Sequence, residues 1–332
     1  MSNYATPKLI YVWIGDVLPS WAKIALRMSN ELCGVQTVLL CNRVIGVVDE
    51  VAETIFLEDF YIRPEGLYKR FKSEALGFRN EFWLKTTERF FVLQQYCAVT
   101  KQRAIFHAEI DNLVFDISDL AKKLDQQGSG FFCPRDAPKR GIASLIYINK
   151  IDALFEMTEY YLSSANKGMN DMNLLGEMLT NSRSFFSLPT EGIFNLINSE
   201  NWVVLDWQAC GGIFDAAAIG QYIFGVDGRN INGVLFNGFI NENAGYKINE
   251  LHLIKSNSQK IFKIKSEDKE CILYNLHIHS KIFDKLNNDK YFNYIIGRLN
   301  KNKKNIISMN MRNWNILSFL KNICININKK EI

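Results

Sequence analysis

Apolar positions change their spacing several times along this chain. Three short runs at 9–14, 37–41 and 54–57 are rich in β-branched and aromatic residues, the pattern of buried strands. Segments with helical spacing separate them, so the chain is expected to open β-α-β-β with parallel strands. Between about 80 and 100, Phe82, Trp83, Phe90, Phe91, Leu93 and Tyr96 make a broad apolar face, which predicts a long helix with most of its aromatics in the core. The next run, 104–108, leads into Glu109-Ile110-Asp111-Asn112, so charge appears where a strand should end. Downstream the pattern predicts a helix over 116–124, strands over 130–133 and 145–148, and helices over 152–162 and 171–179. From 201 the texture turns to short strands and glycine-rich loops, including Gly211, Gly212, Gly220, Gly225 and Gly228. A last strand, 271–278, ends in His277-Ile278-His279-Ser280-Lys281.

With 332 residues, 48% of them hydrophobic, the chain can bury a sizeable core. Its seven cysteines are scattered without a C-x-x-C pair, which argues against a disulfide framework or a zinc ribbon and for a reducing cytoplasm. No secretory signal and no membrane-spanning helix are expected. The net charge of +4 is unevenly placed, since residues 281–332 hold eleven Lys or Arg against Asp284, Asp289 and Glu331. There Trp314, Ile316, Leu317, Phe319, Leu320 and Ile323 interleave with Arg312, Lys321 and Lys329. That suits a helix lying on an anionic membrane at the inner face of the cell, or one packed on the body with a solvated basic side. Nucleic acid is not an expected partner.

In open α/β sheets ligands sit beyond the carboxyl ends of strands, which directs attention to Glu109 and Asp111. Alternate strand residues share a face, so two carboxylates one residue apart can hold a divalent cation through oxygen. A bare E-x-D is otherwise a solvated turn. In His277-x-His279-Ser280-Lys281 the same alternation aligns two imidazoles, which can complete a metal shell, while Lys can neutralise a phosphate. His107 reads better as a satisfied core imidazole. Arg79, Lys85 and Arg89 could each meet a phosphate or stay solvated, and Arg79 precedes an aromatic pair.

The run Ile10-Tyr11-Val12-Trp13-Ile14-Gly15 resembles the first strand of nucleotide-sugar transferases with the GT-A fold. IFHAEIDNLVFD resembles their D-x-D-type metal motif, with Glu109 and Asp111 in the acidic places and a departure to E-x-D. His-x-His-Ser-Lys resembles the C-terminal His and Lys elements of several retaining members. FDAAAIGQY, with the following Gly225-Val226-Asp227-Gly228-Arg229, is similar to a segment of bacterial surface-polysaccharide transferases. The resemblance spans roughly 8–281. It implies an α/β, Rossmann-like mixed sheet flanked by helices, with a nucleotide-binding half (1–120) and an acceptor- or sugar-binding half (121–281), then a basic helical extension (282–332).

By the same resemblance Val12, Trp13, Ile14, Gly15, Arg79, Glu109, Asp111, Gln221 and Lys281 would bind the nucleotide sugar. Asp111, His277 and His279 would hold Mn2+ or Mg2+, with His279 the preferred histidine and Glu109 acting through water or ribose. Asp171 and Asp215 would serve the sugar or the chemistry, against the plainer readings of an N-cap and a buried polar network. The implied activity is transfer of a hexose from a nucleotide sugar, UDP-linked, to a glycan or lipid-linked oligosaccharide. O-antigen or capsule assembly is the expected setting, and the His-x-His-Ser-Lys element favours retention. A nucleotidyltransferase or sugar-nucleotide hydrolase would use similar carboxylates, although no glycine-rich basic phosphate loop follows the first strand. A non-catalytic glycan- or nucleic-acid-binding protein is the third alternative.

Overall fold

The opening apolar runs form β1 (Lys8–Trp13), α1 (Ser20–Leu32), β2 (Thr37–Cys41) and β3 (Glu53–Phe56) in a computed structural model. The structure describes residues 7–48, 52–71, 77–79, 81–163, 169–194, 204–225, 227, 252–255, 262–266 and 269–286. As expected, β1 pairs parallel with β2 and β2 with β3. All five residues of β2 are buried, as a strand covered on both faces requires. In α1, Ala22, Ala25, Leu26 and Ser29 are buried, a helical stripe at i, i+3, i+4 and i+7.

The long apolar face becomes α2 (Phe82–Thr100), followed by β4 (Ile105–Ala108) and β5 (Asn112–Val114). Phe90 and Phe91 are fully buried, whereas Phe82 stays exposed. Next comes α3 (Leu120–Asp125), shorter than the expected 116–124. The reason lies at Asp116, whose carboxylate accepts from the Ser118 amide and hydroxyl and so holds 116–118 in a turn. The order continues with β6 (Phe131–Ala137), β7 (Arg140–Gly141), β8 (Leu145–Ile148), α4 (Ile151–Ser163), α5 (Asp171–Asn181) and β9 (Phe185–Leu188). The N-cap of α5 is Asn170, whose side chain accepts from the Asn173 amide, not Asp171.

The main sheet runs β3-β2-β1-β4-β8-β6-β7, with β9 alongside β6. Strand β8 is antiparallel to both β4 and β6, so the sheet is mixed. Ile10, Phe90, Leu154 and Leu174 share one core, which places α2, α4 and α5 on one face of the sheet. Leu9, Tyr11, Leu26, Leu120 and Leu124 share another, with α1 and α3 on the opposite face. The mixed sheet flanked by helices that the sequence implies is therefore present.

Beyond it lie α6 (Trp207–Cys210), β10 (Gly212–Ile213), α7 (Ile219–Phe224), β11 (His252–Lys255), β12 (Phe262–Ser266), β13 (Lys269–Leu273), β14 (Asn275–His277) and α8 (Phe283–Leu286). The single strand expected over 271–278 is two strands in different sheets. β13 joins the order β10-β13-β12-β11, while β14 pairs antiparallel with β5. The switch occurs at Tyr274, whose amide donates to Ile213 and whose carbonyl accepts from Phe115. Of the basic extension expected at 282–332, residues 287–332 lie outside the described residues. Among the described residues no helix is long and apolar enough to cross a membrane. The six described cysteines are buried free thiols.

Candidate functional site

Strand β4 lies between β1 and β8, so its carboxyl end opens near the middle of the sheet. Glu109 keeps the sheet direction for one more residue through its amide bond to the Ala143 carbonyl. A tight turn then begins, closed by the Asn112 amide donating to the Glu109 carbonyl. Strand β5 leaves the sheet and takes β14 as its partner, with Asn112 opposite His277. The Ile278 amide donates to the Asp111 carbonyl at 2.8 Å. This two-stranded ribbon carries the histidine segment to the acidic turn.

His277 Nε2 lies 3.2 Å from Asp111 Oδ1 and 3.3 Å from Glu109 Oε2. One ligand atom from each of the three residues falls within 4.8 Å of the others. The other ring nitrogen, Nδ1, donates to the Ala216 carbonyl at 2.6 Å, which fixes the ring and directs Nε2 at the carboxylates. Burial alone would lower the His277 pKa, but the Asp111 and Glu109 carboxylates prevail and raise it to about 9. Asp111 shows the complementary effect. Burial would raise its carboxyl, yet Lys281 and His277 hold it well below the usual range.

Lys281 Nζ contacts Asp111 Oδ2 at 3.2 Å, Asp227 Oδ2 at 3.3 Å and the His279 carbonyl at 3.3 Å. Its backbone is left-handed, with φ of 57°, an uncommon conformation for a side chain of this size. The ammonium also stands 5.5 Å from the centre of the Trp21 ring. Trp21 in turn meets Trp13 edge-on and stacks on Phe283. The carboxyl end of β1 is thereby brought to the site. There the Gly15 amide donates to Asn42 Oδ1, and Trp13 Nε1 donates to the Val17 carbonyl. Val12, Trp13 and Ile14 are partly exposed, and Val12 keeps its pairing with Leu40.

Arg89, on α2, is the residue whose weight sequence reasoning missed. It is 6% exposed and grips two carboxylates, Glu109 Oε1 at 2.7 Å and Asp171 Oδ2. Burial works against its charge, and the two carboxylates more than offset this. A lone Arg set among Phe90, Phe91 and Leu93 was the available signal. Asp171 sits in the first turn of α5, 2% exposed, with Oδ1 unpartnered among the described residues.

His279 stacks obliquely on His277, ring centroids 4.0 Å apart, and takes a hydrogen bond from Gln221 Nε2 at 3.1 Å. Burial and the neighbouring His277 charge hold it well below the ordinary imidazole range. The cluster with Glu109 and Asp111 contains His277 rather than His279, reversing the expected order of the histidines. Glu109 lies as near the imidazole as Asp111 does. Gln221 therefore supports His279.

Asp215 is wholly buried. Its Oδ1 accepts from the Ala218 and Ile219 amides and its Oδ2 from those of Gly220 and His277. With both oxygens saturated it anchors α7 and β14 to each other. Asn275, also unforeseen, donates to Asn112 Oδ1 and to the Asp215 carbonyl while accepting from the Asp215 amide. Gly220 is needed here, because a Cβ would come within 2.1 Å of the His277 carbonyl oxygen. His107 is the core imidazole expected, with Nδ1 donating to Ile10 and its pKa pushed down by burial to about 3. Arg79 lies over the Phe78 ring at the open end of α2.

No family model and no curated protein matches this sequence. Solved structures that share part of its chain path include mouse xyloside xylosyltransferase 1 in its apo form, at 10% identity and a TM-score of 0.37 over 55% of this chain and 85% of that one. Another is the galactosyltransferase LgtC in complex with donor and acceptor sugar analogues, at 11% identity and 0.34 over 57% and 74%. A third is the glycosyltransferase GlyE of Streptococcus pneumoniae, at 10% and 0.35 over 57% and 47%. Identities and TM-scores this low assign neither an activity nor a ligand to this chain.

Proposed function

We propose that the protein is a divalent-metal-dependent glycosyltransferase that moves a hexose from a nucleotide sugar, UDP-linked, to a glycan or lipid-linked acceptor. The observation that carries the reading is the meeting of Glu109 and Asp111, at the carboxyl end of β4, with His277 and Lys281 from near the far end of the described chain. Two carboxylates and one imidazole oriented through its Nδ1–H form a donor set that fits Mn2+ or Mg2+. Bound there, the cation would supply Lewis-acid charge to a leaving diphosphate.

Lys281 would present its ammonium to the same phosphates in place of Asp227 and Asp111. The nucleotide would lie against the Trp13–Gly15 end of β1, which Trp21 joins to Lys281. Arg89 keeps Glu109 in place by pairing it with the buried Asp171, so that Asp171 would act through Arg89 and Glu109. Since Asp215 is saturated by backbone donors, it is not available as a base. That favours retention, with the leaving diphosphate taking the acceptor's proton. The basic segment 282–332, read from sequence, supports a membrane-held acceptor and hence surface-polysaccharide assembly.

A screen of UDP-, GDP- and CMP-sugars with glycan acceptors, with and without Mn2+, tests the reading. Metal-dependent nucleotide release with the sugar recovered on an acceptor is expected, together with its loss in Asp111→Asn. Release that survives chelation and Asp111→Asn, or silence with every donor, would sink it. Recovery of free sugar or of a nucleotidylated product instead would point to the hydrolase or nucleotidyltransferase alternatives.

A further inference from the structure

Phe78, Phe82 and Trp83 gather at the open end of α2. Phe78 stacks on Trp83 with 5.8 Å between centroids and 9° between planes, and Phe82 stands edge-on to both. Trp83 is packed against the core, but Phe78 is 40% and Phe82 37% exposed. Arg79 covers part of Phe78, its guanidinium carbon 5.0 Å from the ring centre. Reaching this arrangement takes two left-handed residues that are not glycine, Arg79 at φ 46° and Glu81 at φ 62°. Both conformations are strained for residues that carry a side chain, and such strain concentrates at ligand-holding sites. Here it accompanies two partly exposed rings, Phe78 and Phe82, set on a Trp83 that packs against the core.

The rings are continuous with the candidate site. Phe82, Thr86 and Arg89 follow at i, i+4 and i+7 on one stripe of α2. Thr86 lies against the Asp171 carboxyl, and Arg89 grips Asp171 and Glu109. Seven residues of helix span about 10 Å, so the stripe leads from the acidic turn to the aromatic rim over more than one sugar ring. It carries polar groups at the inner end, of which Glu109 is partly exposed, and the partly exposed rings of Phe78 and Phe82 at the outer. A pyranose has the same two characters, hydroxyls around its edge and a weakly positive C–H face that lies flat on an aromatic ring.

We infer that Phe78 and Phe82, backed by Trp83, form a platform for a pyranose ring of the glycan acceptor, outside the position where the sugar is transferred. The inference rests on the glycosyl-transfer reading and deepens its acceptor side. The probe is a panel of defined tri- and tetrasaccharides of glucose, galactose and rhamnose, examined by saturation-transfer NMR and titration with the full-length protein. Phe78→Leu and Phe82→Leu keep apolar bulk and remove the ring face, and unchanged melting temperatures verify their folds.

At least one saccharide is expected to receive saturation at its ring C–H protons, and its Kd should rise about tenfold or more in each variant. Acceptor KM should rise more than kcat falls. Binding unaltered in both variants, absence of binding across the panel, or rings that instead take up phosphatidylglycerol vesicles would overturn the platform. Metal-dependent nucleotide release observed alongside any of those results would leave the glycosyltransferase reading standing, so the two fail separately.

Discussion

Arg89→Met keeps the length and apolar stem of the side chain while removing the guanidinium that Glu109 and Asp171 share. Asp171 has a side chain only 3% exposed, so in the variant it must stay charged without a partner or take up a proton. Protonation sets the size of the effect. Holding a proton at pH 7 on a carboxyl that titrates near 3.9 in the unfolded chain costs at most about 4 kcal/mol, and the wild type already bears part of this because burial raises the Asp171 carboxyl even beside Arg89. That ceiling agrees with the about 3–5 kcal/mol lost when one side of a buried ion pair is removed. The sign follows from proton counting. Above about pH 4 the folded variant binds a proton that its unfolded chain releases, so the deficit grows as pH rises to 7 and shrinks as it falls.

Urea unfolding of wild type and Arg89→Met should therefore differ by about 2–4 kcal/mol at pH 7 and by no more than about 1 kcal/mol at pH 4.5. Adding Asp171→Asn removes the acid that needs the proton and should restore most of the loss at pH 7. A deficit under about 1 kcal/mol, a deficit independent of pH, or no recovery in the double variant would refute the reasoning.

Other perturbations test neighbouring parts. Glu191 is 2% exposed with Oε2 unpartnered among the described residues, and burial, with Asp215 nearby, pushes its carboxyl up to about 8. The folded protein then keeps a proton that the unfolded chain releases above about pH 4.5, so stability should fall from there to pH 8. Glu191→Gln should abolish that slope and gain on the order of 3–5 kcal/mol at pH 8, and a variant no more stable than wild type in urea contradicts this. Gly220→Ala must push α7 off the His277 carbonyl and should cost about 1–3 kcal/mol while weakening Mn2+ binding; an unchanged melting temperature would be the contrary result. His277→Gln should weaken Mn2+ binding by calorimetry much more than His279→Gln does, and equal losses would mean that both imidazoles serve the metal.

Local sequence encodes the parts of the fold that depend on local pattern. The runs that became β1, β2 and β3 could be read because buried strands admit little but β-branched and aromatic residues, and α2 because its apolar positions repeat helically. The acidic turn after β4 was legible because charges interrupt such a run. Other parts depend on pairings between distant segments. Arg89 is a basic residue on a mostly apolar helix until Asp171, 82 positions on, comes to meet it. The sequence pattern puts His277 and His279 side by side, and the rings do lie 4.0 Å apart, but the strand ends at His277 and His279 sits in the turn after it, and nothing in the pattern says that the chain changes sheets at Tyr274. Asp215 reads as a candidate catalytic carboxylate and Asn275 as one polar residue of an expected strand until their hydrogen-bond partners are known.

The pairing of β5 with β14 also governs when this site can exist during synthesis. Asn112 and Asn275 are 163 positions apart, and Asp111 and Lys281 are 170 apart. At translation rates of about 5–20 residues per second, the acidic turn leaves the ribosome roughly 10–30 s before its histidine and lysine do. For that interval β1 to β4 can pair with one another, while the edge of β5 and the Asp111 carboxylate wait for their partners and Glu109 has Arg89 but not yet His277. Such non-local closure is slow. The ribbon thus acts as a final clasp, so that a nascent chain acquires its sheet well before it acquires its chemistry.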